Sequence, residues 1–383
     1  LTDTGTADVS VSSFKQSGAG NVSIAGDITA ASTIDFSATA ISLTGDVLLN
    51  GTTTKFSSAV TLGTSGSYEL TVNGILSNTA AVTANINVNA MGNVTSDGNW
   101  AGTKSLIFNG TGNQTFTVSS DSTYKDVKIE KSSGNLTTAG SGKAKFTSLG
   151  INSGASSVVT FNNETDITNI TLTKANKTIF NKETTIHGAS IDSTNSGDIE
   201  FNGGGKVLVS VIEAGGTVKV TGSNKLSFPN GLTAKSPFNV TGVLETTDLE
   251  IDGSTFANSG TVTASGDVSS NSTLSNSGTL SVGGDLTSSG TLKNEGTGTL
   301  AVTGDITSSG VFTNNGTTTA GSDFTNTSSG TLTNGGDLTI TGNLSNSGSS
   351  SISNSGDIVL NGNLTNDLGS SIANSDSISL KGN

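Results

Sequence analysis

Counting from Leu332, large apolar side chains fall at Leu332, Leu338, Ile340 and Leu344. The set returns 20 residues later at Ile352, Ile358, Leu360 and Leu364, and again at Ile372, Ile378 and Leu380. Earlier copies, with small changes of length, are Leu292, Leu300, Val302 and Ile306, and before them Leu274, Leu280, Val282 and Leu286. Side chains of a strand alternate faces, so the second and third apolar positions share one inward face. The first is followed two residues on by Asn, and the fourth by Asn or Ser, as at Asn326, Asn346 and Asn366. Each unit therefore predicts three short strands with two inward residues apiece. Gly, Asn and Asp between them supply turns.

The polar positions keep the same period. Asn258, Asn276, Asn294, Asn314, Asn334, Asn354 and Asn374 follow one another at spacings of 18, 18, 20, 20, 20 and 20. A second series is Asp267, Asp285, Asp305, Asp323, Asn343 and Asn363. A disordered spacer of the same Gly-Ser-Thr-Asn composition has no reason to hold this register. One unit cannot bury its own apolar face, but stacked units can. The pattern predicts an all-β chain: a parallel β-helix, or β-solenoid, with triangular rungs of about 18–20 residues. The crossover preference of parallel strands makes it right-handed.

The regular units cover 251–383. Residues 1–102 show the repeat in looser form, with Gly26-Asp27-Ile28 and Gly45-Asp46-Val47 as one pair of copies. Residues 103–250 carry longer strand-like runs (SLIF, TFTV, DVKIE, KVLVSVI) and 13 of the 17 lysines. We expect the same solenoid there with longer strands and turns, a small inserted β-domain being the alternative.

Composition narrows the function. Net charge is −13 and every basic residue is lysine, which argues against nucleic acid as a partner. Cysteine is absent, so no disulfide or thiolate metal site forms. No apolar run reaches the ~18 residues of a membrane span. The chain begins at Leu1 and its one methionine is Met91, as in a processed chain or a fragment.

Several side chains have a chemical reading and a structural one. Asp267, Asp285, Asp305 and Asp323 should stack on one edge, where calcium would relieve their repulsion. The series continues as asparagine, however, and the glycine-rich nonapeptide of calcium-binding β-rolls is missing. Turn-forming bonds to the local backbone explain both residue types, so we expect no cofactor, with calcium as the one candidate. The inward asparagines are expected to pass amide hydrogen bonds up the stack. Asp198 and Glu200 share a strand face, as a hydrolase pair would, but 30 acidic residues make such pairs by chance. His187 stands alone before Gly188, as in a surface turn. For sugar stacking only Trp100, Tyr68 and Tyr124 are available beyond the 14 Phe, which suit a core. The chain is not expected to be an enzyme. Lysines between Lys104 and Lys235 could meet an acidic glycan, or simply guard strand edges.

The unit SGTLTNGGDLTITGNLSNSG resembles the repeats of filamentous haemagglutinin and similar secreted bacterial adhesins. Autotransporter passenger domains are a looser likeness. The stretch LIFNGTGNQTFTVSSDSTYKDVKIEKSSGNLTT resembles repeat units of large bacterial surface proteins. The clear resemblance spans Phe256 to Asn383. It implies a right-handed β-helix, export, and work at the cell surface, and it carries over no catalytic or binding residue.

The expected function is therefore that of a non-catalytic extracellular protein, a subunit of a bacterial surface fibre or layer. No capping segment follows the apolar run ending at Leu380. The expected partners are thus other copies, head to tail, or flanking parts of a longer surface protein. The alternative is an adhesin shaft whose middle segment binds a host receptor or glycan.

Overall fold

The computed structural model describes residues 8–63 and 67–381. Every regular element among them is a β-strand. The chain divides into two compact units, Leu1–Gly197 and Asp198–Asn383. That boundary falls inside the lysine-rich middle rather than at either of its edges. Each unit is a β-solenoid.

In the second unit, Thr331–Asn334, Asp337–Ile340 and Leu344–Asn346 form one turn. They pair in parallel with Ser351–Asn354, Asp357–Leu360 and Leu364–Asn366 of the next. Leu332 lies over Ile352, Leu338 over Ile358 and Leu344 over Leu364. Leu332, Leu338, Ile340 and Leu344 are all buried. Each such side chain contributes roughly 1.5–3 kcal/mol on burial. The alternating Thr and Ser between them face outward, where β-branched Thr suits a pleated surface. Corners are tight: a Cβ on Gly336 would sit 2.2 Å from the carbonyl oxygen of Gly316 in the turn before. Only glycine lets the backbones stack that closely.

The first unit adds aromatic packing. Phe108, Phe116, Tyr124, Phe146, Phe161 and Phe180 form a chain of ring contacts with centroids 5.0–6.2 Å apart. Its long strands have a simple origin. Ser122–Ile129 pairs with both Trp100–Gly102 and Leu106–Phe108 of the preceding turn. Two strands separated by a turn in one rung become continuous in the next. Ala144–Asn152, Thr165–Lys174 and Thr184–Ile191 follow in parallel register. At each join two successive side chains face outward, for example Thr147 and Ser148. Within 103–250 the long strands arise where a turn has been lost.

Candidate functional site

The seven asparagines of the first polar series form one unbroken hydrogen-bonded column. Asn258 Nδ2 donates to Asn276 Oδ1 at 2.7 Å, Asn276 to Asn294 at 2.8 Å, and Asn294 to Asn314 at 3.0 Å. The column continues from Asn314 to Asn334 at 2.7 Å, to Asn354 at 2.8 Å and to Asn374 at 2.7 Å. Asn258 to Asn354 are buried. Each amide also satisfies the corner beside it: Asn334 Nδ2 reaches Gly336 O at 3.0 Å and Asp357 O at 3.2 Å. Buried amides are tolerated only when paired in this way, and aligned amides polarise one another. All donors point toward the next turn, so the column has one direction.

A shorter column runs from Asn326 to Asn346 at 2.8 Å and on to Asn366 at 2.7 Å. It begins where Ser308 gives way to Asn326 in the same register. The serine is too short to continue it, and Asn326 Oδ1 accepts nothing. Thr318 occupies a position that is leucine in the turns on either side. The apolar pattern missed it. Its hydroxyl joins the main column, donating to Asn314 Oδ1 at 2.8 Å.

The acidic series is also a column, but an external one. Asp267 Oδ1 accepts from the backbone N–H of Asp285 at 2.8 Å, Asp285 from Asp305 at 2.8 Å, and Asp305 from Asp323 at 2.9 Å. Asp323 accepts from Asn343 at 2.7 Å, and Asn343 from Asn363 at 2.9 Å. The expected local turn bonds are thus replaced by bonds between turns, which carboxylate and carboxamide oxygens make equally well. Ser322 and the N–H of Asp323 hold the Asp305 carboxyl below the usual carboxylate range. Asp192 shows the local alternative: bonds from Thr194 and Asn195 hold its carboxyl at about 2. Among the described residues, no group of three or more His, Asp and Glu is placed to hold a metal ion.

One lysine is not at the surface. Lys131 is 1% exposed. Its Nζ donates to Gly110 O at 2.6 Å, Gly112 O at 2.7 Å and Gln114 Oε1 at 2.8 Å. Three hydrogens meet three oxygens, with no carboxylate among them. Burial lowers this ammonium to about 8. Gln114 makes the same kind of contact one turn earlier, donating to Ala90 O and Gly92 O. Asn163 makes it later, at Gly140 O and Gly142 O. Each is an inward donor closing a corner of the preceding turn. Lys131 was visible in the sequence as the third inward position after Val127 and Ile129, but lysine is rarely read as inward.

The remaining candidates are dispersed. Trp100 and Tyr124 are buried, Trp100 donating to Asn78 Oδ1 at 3.0 Å, which removes both as sugar platforms. Tyr68 is exposed. His187 lies in the strand Thr184–Ile191 rather than in a turn, with Nε2 3.0 Å from Asp166 Oδ1. Asp198 accepts from Thr217 N and Lys219 Nζ, both at 2.8 Å. Lys225 pairs with Glu245 at 2.8 Å and Lys235 with Asp252 at 3.7 Å, so these lysines are matched to acids rather than gathered into a cationic patch.

No helix among the described residues is long and apolar enough to cross a membrane. No family model, curated protein or solved structure matches the chain. What the repeats and the stacked strands establish together is a β-helix repeat protein.

Proposed function

We propose that the chain is a non-catalytic structural protein of the bacterial cell exterior, serving as a subunit of a surface fibre or layer or as part of the shaft of a longer surface protein. The observation that carries this reading is the column from Asn258 to Asn374. The most regular polar chemistry of the molecule lies inside it and is used to register one turn upon the next. The acidic column does the same outside, and each carboxylate in it is already engaged with the neighbouring backbone. The likeness of the units to filamentous haemagglutinin supports export and a surface location. The net charge of −13 suits a chain that must stay soluble outside the cell. No metal enters this reading.

Antibody raised against 198–383 should label intact cells of the producing organism before permeabilisation, and the purified chain should release no products from anionic polysaccharides. Labelling that needs permeabilisation would overturn the location. Turnover would overturn the structural role.

A further inference from the structure

Gly150 lies inside the strand Ala144–Asn152, two residues from its end, where a glycine weakens a sheet. Its backbone is not in the left-handed region. A Cβ there would meet nothing nearer than Lys128 Cγ at 3.7 Å and Val127 O at 4.0 Å. Other strand glycines have a local reason. Gly102 and Gly205 have φ of 111° and 125°, and a Cβ on Gly188 would press to 2.7 Å from Asn169 Oδ1. Gly150 pairs in register with Lys128 and Thr171, and the register against Thr165–Lys174 shifts only beyond it, between Ile151 and Asn152. Gly150 itself lies before that shift and is neither strained nor crowded, so the missing side chain points to a ligand approaching the sheet.

An open groove of about 260 Å³ lies over this position. Lys128, Gly150 and Thr171 stack along its floor. Asp126 and Ser148 form one side, Glu130 and Thr173 belong to the other. Asp126 is held in place by the hydroxyl of Ser105. The lining offers carboxylates, hydroxyls, the Asn152 carboxamide and one ammonium, and the Ile151 side chain is buried within the core. An apolar peptide would find no anchor here. An added strand would find no free edge, because Ala144–Asn152 is paired on both sides. Two carboxylates against one ammonium disfavour a polyanion. Hydroxyl groups, which both donate and accept, match every group present.

We propose that the groove over Gly150 binds a neutral polyhydroxylated chain, a segment of uncharged polysaccharide, seating about one sugar ring at a time. This goes beyond the structural role, which stands whether or not the groove is occupied. Without a stacking aromatic the dissociation constant should be on the order of 0.1–1 mM.

The test is calorimetric or NMR titration of the full chain with maltohexaose, cellohexaose and chitohexaose, with a heparin hexasaccharide as the anionic comparison. At least one neutral oligosaccharide should bind. Gly150→Ile should weaken it about tenfold or more while leaving the melting temperature equal or higher, because the Cβ has room. Thr171→Val, which keeps the shape and removes a hydroxyl, should also weaken it. Should Gly150→Ile fail to fold, Thr171→Val decides. No binding of any neutral chain, binding of heparin alone, or undiminished binding by the folded variants would overturn the proposal.

Discussion

Replacing Asn334 by leucine should cost the second unit about 3–5 kcal/mol, lowering its melting temperature by roughly 10 °C. Leucine suits a dry core, and on area alone the change would look favourable. The loss comes from the partners. Asn354 Oδ1 loses the donor at 2.8 Å and Asp357 O the one at 3.2 Å, while Gly336 O keeps only the backbone N–H of Asp357. Asn314 Nδ2 loses one of its two acceptors, at 2.7 Å, and keeps Asp337 O. Buried groups left unpaired cost about 1–3 kcal/mol each. Asn334→Asp should be no milder: it keeps the size but cannot donate, and it sets a carboxylate against the oxygen of Asn354. Thr333→Ala, one residue away on the outer face, should change stability by less than about 0.5 kcal/mol. Calorimetry of the three variants checks the ordering, and a neutral Asn334→Leu would contradict the account of the column.

Lys131→Met should cost the first unit about 2–4 kcal/mol. Methionine replaces the stem but leaves Gly110 O, Gly112 O and Gln114 Oε1 facing one another without a cation. The gain from no longer burying a charge offsets part of this. The pH dependence has a definite sign. Burial lowers the folded-state value to about 8, below that of an unfolded lysine. Between about pH 8 and 10.5 the unfolded chain therefore holds the proton more tightly than the folded one, and this group's contribution to stability rises with pH. Denaturant titrations of wild type and Lys131→Met across that range should show wild type gaining on the variant, other lysines cancelling in the comparison. A difference that is flat or falls with pH would contradict the burial of this ammonium.

The two columns explain what could and could not be read from the sequence. A strict 20-residue period made the inward positions of 332–364 legible, because strand side chains alternate and a one-residue slip would turn the aliphatic set outward. The asparagine positions were legible for the same reason. The partners of Asp267 and its successors were not, because a local turn bond and a bond to the next turn leave the same spacing in the sequence. They differ only in which N–H lies within reach once the turns are stacked. The runs around DVKIE read as strands, but the disappearance of a turn between Tyr124 and Asp126 depends on pairing with two strands of the turn before. Gly150 gave no signal at all in a chain with 51 glycines. Only its ordinary backbone and the space around it set it apart.

The chain contains no cysteine, so the stacking of turn upon turn can be tested with cysteine pairs. Thr333 and Ser353 are register partners on the outer face of adjacent turns. Their Cα atoms should lie about 4.8 Å apart, within disulfide range. Thr313 and Ser353 are two turns apart, at about 9.6 Å, beyond it. Under mild oxidation Thr333→Cys/Ser353→Cys should close an intramolecular disulfide essentially completely, and Thr313→Cys/Ser353→Cys should stay reduced. Bridging of the distant pair, or failure of the adjacent pair to bridge, would contradict the stacked solenoid.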